Sequence, residues 1–203
     1  MASIENLREK ISRCRICVTE PQGNPLPHSP RPVAVLSEKA RIRIIGQAPG
    51  TRVHASGRPF TDPSGDRLRE WMGIDEEIFY DPDKLAITPM GFCFPGLDNK
   101  GGDLPPRKEC AKRWQDEVSK AMPQIELVLL IGMYAQKHYL REQASRTLTE
   151  TVKNWCEISD AIDGPVCIPL PHPSWRNNAW IRKNPWFSSD LLPFLQKKIQ
   201  HLI

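Results

Sequence analysis

The segment Ile125 to Ile131, IELVLLI, constrains this chain more than any other: six of its seven residues are aliphatic, which suits a strand covered on both faces. A doubly covered strand needs helices on either side, and the flanking sequence supplies them. Gly132 leads straight into a helical stretch, Met133 to Leu140. Upstream, Pro105 and Pro106 open a helix with Cys110, Trp114, Val118 and Ala121 on one face. Further strands are expected at Arg41 to Ile45, which stops at Gly46, at Leu85 to Thr88, and at Val166 to Leu170. Further helices are expected at Ser3 to Arg13, with Ile4, Leu7 and Ile11 aligned behind a Ser cap, at Gly65 to Trp71, at Leu148 to Trp155 and at Ser189 to Leu202. Strands alternating with helices predict a three-layer α/β/α fold with a central, mainly parallel four-stranded sheet. With 203 residues and no visible linker, repeat or low-complexity segment, residues 1–203 are expected to form one domain.

Composition narrows the function classes. No stretch approaches the roughly 20 apolar residues of a membrane helix, so no membrane partner is expected. Glu5, Arg8, Glu9 and Lys10 stand where an export signal needs an apolar run, and the expected compartment is the cytoplasm. The net charge of +4 permits an anionic partner without demanding one. Six cysteines in a reducing compartment read as thiols or metal ligands rather than disulfides. Prolines cluster at Pro21 to Pro32, Pro82 to Pro106 and Pro165 to Pro185, marking long rigid loops.

In parallel α/β sheets, ligands sit outside the carboxyl ends of the strands. Gly46 to Phe60, Pro89 to Cys93, Gly132 to Tyr134 and Pro171 to Asn178 fall there. The first contains GQAPG (Gly46 to Gly50) and then GRPFTD (Gly57 to Asp62). Small residues after a strand let backbone N–H groups approach a ligand, and the Gln47 amide can both donate and accept. These residues could equally form only a tight turn. The last segment contains HPSWRN (His172 to Asn177), where a His at a strand end could donate to a developing oxyanion or be satisfied by its neighbours. Cys14-x-x-Cys17, Cys93 and Cys110 make a plausible set of four soft ligands for an iron–sulfur cluster or zinc, whereas Cys156 and Cys167 read as buried structural thiols.

Taken together, GQAPG, GRPF, HPSWRN and the four cysteines resemble the uracil-DNA glycosylase superfamily, over most of the chain, and within it the thermophilic, iron–sulfur (family 4-like) branch. The resemblance implies a DNA repair enzyme that flips uracil, and other deaminated bases, out of DNA and hydrolyses the glycosidic bond. It implies that Cys14, Cys17, Cys93 and Cys110 hold a [4Fe–4S] cluster, with zinc as the rival. His172 and backbone near Gln47 would stabilise the uracil anion, Phe60 would stack on the base, and Ala48 would line the base site. Ser174, Trp175, Arg176 and Asn177 would meet DNA, and Arg176, Arg182 and Lys183 give that loop a charge of +3 for phosphates or merely for solvent. Gln47 replaces the branch's Glu, so water activation falls to Gln47 as an orienting group, to Asp62, which could instead cap a helix, or to His54, which could equally be solvated. Pro89 replaces the branch's uracil-reading Asn, which predicts broader base selectivity. A monomer is expected. A weakly catalytic module that only binds damaged DNA is the alternative, and a nucleoside hydrolase is disfavoured by the basic, aromatic Trp175 to Lys183 loop.

Overall fold

The structure is a computed structural model and describes residues 3–160 and 164–203. In chain order its helices are α1 (Ile4–Ser12), α2 (Ile16–Thr19), α3 (Thr51–Ser56), α4 (Pro63–Met72), α5 (Glu76–Tyr80), α6 (Lys108–Ala121), α7 (Met133–Leu140), α8 (Leu148–Lys153), α9 (Trp155–Asp160), α10 (Asn178–Lys183) and α11 (Leu192–Leu202). The strands are β1 (Ile42–Ile45), β2 (Leu85–Ile87), β3 (Leu127–Ile131) and β4 (Val166–Leu170). They form one sheet in the order β2-β1-β3-β4, with every pairing parallel. The sheet is thus wholly rather than mainly parallel, and helices cover both its faces.

Side-chain alternation explains the two layers. Ile42, Ile44, Leu127, Leu129 and Ile131 pack with Leu68, Trp71, Phe79, Leu195 and Ile199 from α4, α5 and α11. On the opposite face Ile45, Val128 and Leu130 pack with Leu7, Trp114, Val118 and Leu140 from α1, α6 and α7. Each sheet edge carries a feature that discourages further pairing. Val35 makes an antiparallel bridge to Ile87 beside β2, and Pro169 interrupts the donor row of β4.

Local chemistry sets the helix ends. The Ser3 hydroxyl accepts from the Asn6 amide at 3.3 Å and starts α1 as expected. The stretch Leu148 to Trp155 is not one helix: a Thr147–Glu150 capping box begins α8, which ends at Asn154 before α9 begins. A π-helical turn, Phe187–Leu191, delays the last helix to Leu192. Two short helices lie in stretches expected to be loop: α3, between Gly50 and Gly57, and α10, within the Trp175 to Lys183 stretch; α5, capped by Asp75, lies where the sequence suggested no element. Among the described residues no helix is long and apolar enough to cross a membrane.

One strand residue breaks the apolar pattern. Arg43 lies in β1 and is only 3% exposed. Its guanidinium donates to Thr88 Oγ1 at 2.6 Å, Ser119 Oγ at 2.7 Å, Gln115 Oε1 at 2.9 Å and the Tyr139 hydroxyl at 3.0 Å. Gln115 in turn donates to the Pro89 carbonyl at 2.7 Å. Truncating Arg43 leaves several buried acceptors without donors as well as a cavity. Arg43→Ala is therefore expected to cost about 3–5 kcal/mol of stability, read from urea unfolding at an unchanged m-value.

Candidate active site

The carboxyl ends of β1, β2 and β4 open onto one pocket. The sheet order changes direction around β1, and the pocket sits at that switch, where parallel sheets leave a crevice. Its walls include Gly46 to Gly50 after β1, Pro89 after β2 and His172 after β4, closed by Phe60, Asp62, Ser64 and Asp103. The cavity holds about 90 Å³. At roughly 10–15 Å³ for each water-sized group, that suits a single pyrimidine-like ring. A larger, open groove of about 670 Å³ shares Gln47, Ala48, Asp62, Asp103 and His172 with the pocket and continues along Ser174, Trp175, Arg176 and Asn177.

Phe60 is positioned by strain. It is one of two described non-glycine residues with positive φ, at 54°. The Tyr80 hydroxyl, which lies 2.9 Å from the Pro59 carbonyl and 3.0 Å from the Phe60 carbonyl, holds this turn. A Cβ at Gly65 would stand 1.9 Å from the Phe60 oxygen, so only glycine fits beneath it. The ring then leans edge-on against Phe79 at 5.9 Å, with part of it facing the pocket.

Gln47 Nε2 donates weakly to the Leu104 carbonyl at 3.4 Å. Because that partner is an acceptor, the amide must point its NH2 there, which leaves Oε1 free. The Asp62 carboxylate caps α4: Oδ1 accepts from the Ser64 amide at 3.1 Å, the Gly65 amide at 3.3 Å and the Ser64 hydroxyl. His172 has its pKa lowered, first by burial, against the opposing pull of Asp62 and Asp103. Its imidazole is accordingly neutral near pH 7 and can serve as a donor without carrying charge. The loop after it is fixed from within. Asn177 Nδ2 donates to the His172 carbonyl at 2.6 Å, and Arg67 of α4 donates to the Ser174 carbonyl at 3.0 Å. Trp175, by contrast, is 73% exposed at the groove edge, and Arg176 is exposed beside it.

Away from this pocket, Cys14, Cys17, Cys93 and Cys110 line one small cavity with Phe92, Arg107 and Trp114. Two donors aim at its sulfurs: the Phe92 amide at 3.3 Å from Cys110 Sγ and Trp114 Nε1 at 3.3 Å from Cys14 Sγ. Burial and mutual repulsion raise the pKa of Cys17 and Cys93, and burial pushes Cys110 up to about 12. Thiols so reluctant to ionise alone suit a cationic group that would balance their charge. Among the described residues, however, no three His, Cys, Asp or Glu side chains are gathered as a site for a metal ion.

A profile described as the uracil DNA glycosylase superfamily matches residues 33–196. The chain belongs to that superfamily. It is 26% identical over 139 residues to the type-4 uracil-DNA glycosylase of Sulfurisphaera tokodaii, a match covering 68% of this chain and 58% of that protein. It is similar in fold to a solution NMR structure of a candidate uracil DNA glycosylase from Methanosarcina acetivorans, with a TM-score of 0.50 and 13% identity over 83% of this chain and 94% of the other.

Against the superfamily resemblance, the structure brings Gln47, Ala48, Phe60, Asp62 and His172 to one pocket and Ser174 to Asn177 to its groove. It turns His54 elsewhere: that ring packs 4.5 Å from His28 and 5.7 Å from Phe94, so it is not placed to reach the pocket. Gly132 and Tyr134 are likewise absent from the pocket walls, and Cys156 is exposed rather than buried. Asp103 and Arg67 escaped the sequence reading, because an acid in a Gly-rich loop and a polar face of a helix carry no periodic signal. Asp62→Ala is expected to cost about 1 kcal/mol, the usual worth of an N-cap, visible as a lowered urea midpoint.

Proposed function

We propose that this chain is a DNA N-glycosylase that takes uracil, and other deaminated bases, out of the helix and hydrolyses the N-glycosidic bond to leave an abasic site. The observation that carries the reading is the junction, at His172, of a ring-sized pocket with an open groove edged by the exposed Trp175 and Arg176. A stacked base is out of reach of any protein group, so the nucleotide must swing into the pocket while the strand lies in the groove. Phe60 offers a face for the base. The exposed Trp175 ring suits the gap left in the stack, and Arg176 suits a phosphate. As the bond breaks, negative charge grows on the base oxygens, and a neutral His172 can donate to it most strongly at that moment. Pro89 offers no side-chain donor to the base edge, which supports acceptance of more than uracil. The work is assigned to a monomer in the cytoplasm acting on DNA, as one domain spanning the chain. A damaged-DNA-binding module is the second reading, favoured by the absence of a carboxylate at Gln47.

The test uses oligonucleotides carrying uracil, hypoxanthine, xanthine or thymine opposite each base, followed by alkaline cleavage. Alkali-sensitive sites at uracil are expected, and His172→Ala should lower single-turnover excision by roughly 10²–10³ with duplex affinity retained. Binding without any alkali-sensitive product favours the second reading.

The thiol cavity supports a [4Fe–4S] cluster on Cys14, Cys17, Cys93 and Cys110. Four soft thiolate ligands around one cavity would equally accept zinc, and the iron–sulfur branch resemblance is what favours the cluster. When bound, the cluster would cross-link the N-terminal helices to the Cys93 to Cys110 stretch; hydrolysis asks no electron of it. Anaerobically purified protein is expected to contain about four iron atoms and matching sulfide per chain, lost in Cys110→Ala. Stoichiometric zinc in colourless protein would replace the cluster with the rival ion.

A further inference from the structure

We propose that Asp103 is a further catalytic residue of this site: the carboxylate that holds the attacking water against the sugar and takes its proton. The inference rests on the glycosylase reading. Asp103 lies at the junction of pocket and groove, across from His172. The loop that carries it is braced. The Asp98 and Leu104 amides donate to the Gly102 and Gly96 carbonyls at 2.8 and 2.9 Å, Leu97 and Asp103 pair as an antiparallel bridge, and Asp98 Oδ1 accepts from the Lys100 and Gly102 amides at 2.8 Å. The second glycine of GQAPG makes room for the carboxylate: a Cβ at Gly50 would lie 3.2 Å from Asp103 Oδ2.

Asp103 and Asp62 are both carboxylates of this pocket, and they differ in what they already do. Asp62 Oδ1 carries three hydrogen bonds of the α4 cap. The Asp103 carboxylate makes no hydrogen bond among the described residues and is free to receive water. The charged and titratable groups facing it are His172 after β4, Arg176 in the following loop and Asp62 at the start of α4. Asp103 is an exposed residue, but partial desolvation of its carboxylate beside the pocket raises its pKa, with Asp62 adding to the rise and His172 and Arg176 opposing it. A carboxylate made more basic than usual is a better proton acceptor.

In the step itself, the water oxygen bonds to the sugar C1′ as the C1′–N bond breaks. The bonding pair leaves with the base, where His172 donates to the anion. The water proton passes to Asp103 and from there to the departing base or solvent, so no other reactant is needed. The negative charge of Asp103 also suits the oxocarbenium-like sugar. That same charge opposes phosphates in the groove, so it helps the transition state while working against DNA binding.

This opposition supplies the test. Single-turnover excision and affinity for abasic duplex are measured for wild type, Asp103→Asn and Asp62→Asn. Asp103→Asn is expected to lose roughly 10²- to 10⁴-fold in rate while binding as tightly or more tightly. It should lose at least ten times more rate than Asp62→Asn. Wild-type excision should fall with acid as pH drops through the raised pKa of Asp103, and the variant should lack that limb. Gly50→Ala, which crowds the carboxylate, should slow wild type but add nothing to Asp103→Asn; this pair, with Asp103→Ser, serves if the Asn variant melts early. A rate within threefold of wild type, a larger loss in Asp62→Asn, or parallel losses in rate and affinity each overturn the role of Asp103 while leaving the glycosylase reading intact. A wild type that releases no base from any oligonucleotide overturns that reading, and this inference with it.

Discussion

The structure depends on a cation in the middle of its sheet. Arg43 occupies a position that the neighbouring isoleucines would suggest is apolar, and its guanidinium spreads donors over α6, α7 and the residue that follows β2 through neutral acceptors alone. Burying a charge this completely is costly unless every donor is used. The arrangement therefore admits few alternatives: the helices must sit where Gln115, Ser119 and Tyr139 can reach. Because Gln115 also holds the Pro89 carbonyl, the constraint extends from the core to the floor of the candidate active site.

From that floor upward, the pocket is assembled by groups that brace backbone rather than meet a ligand. Tyr80 and Gly65 fix the strained turn at Phe60, Asp62 starts α4, and Arg67 from the same helix steadies the loop after His172. Helix α4 thus links the two motif segments, which lie 107 residues apart at the Arg67 to Ser174 contact. Preorganisation of this kind matters most for a reaction whose charge appears only as a bond breaks, since donors already in place need not reorganise.

The parts of this design that were legible in the sequence are those with a period or a spacing. Met133–Leu140 and Val166–Leu170 match their expected bounds, and the IELVLLI run appears as β3 with its first two residues left outside. The motif segments converge because each directly follows a strand. What was not legible depends on contacts between distant residues. Helix α3, six residues long, is too short to show a period, Arg43 looks like an edge residue until its four acceptors surround it, and Asp103 gains its place from a glycine more than fifty positions away. The same holds for His54, one of three candidates for activating water: no local spacing foretells the His28 and Phe94 rings it packs against.

The protected edges of the sheet bear on what happens before the fold is complete. A parallel sheet forms late, since its strands are far apart in the chain, and β3 is a hydrophobic run that would template aggregation if it paired with a copy of itself. In the finished order β3 is an inner strand, while the outer strands offer little to a newcomer: β2 already has Val35 alongside, and β4 presents a proline in its donor row. The window of exposure to misassembly is thereby confined to the interval before β3 is enclosed by β1 and β4, so crowding by nascent copies is a hazard of synthesis rather than of the mature molecule.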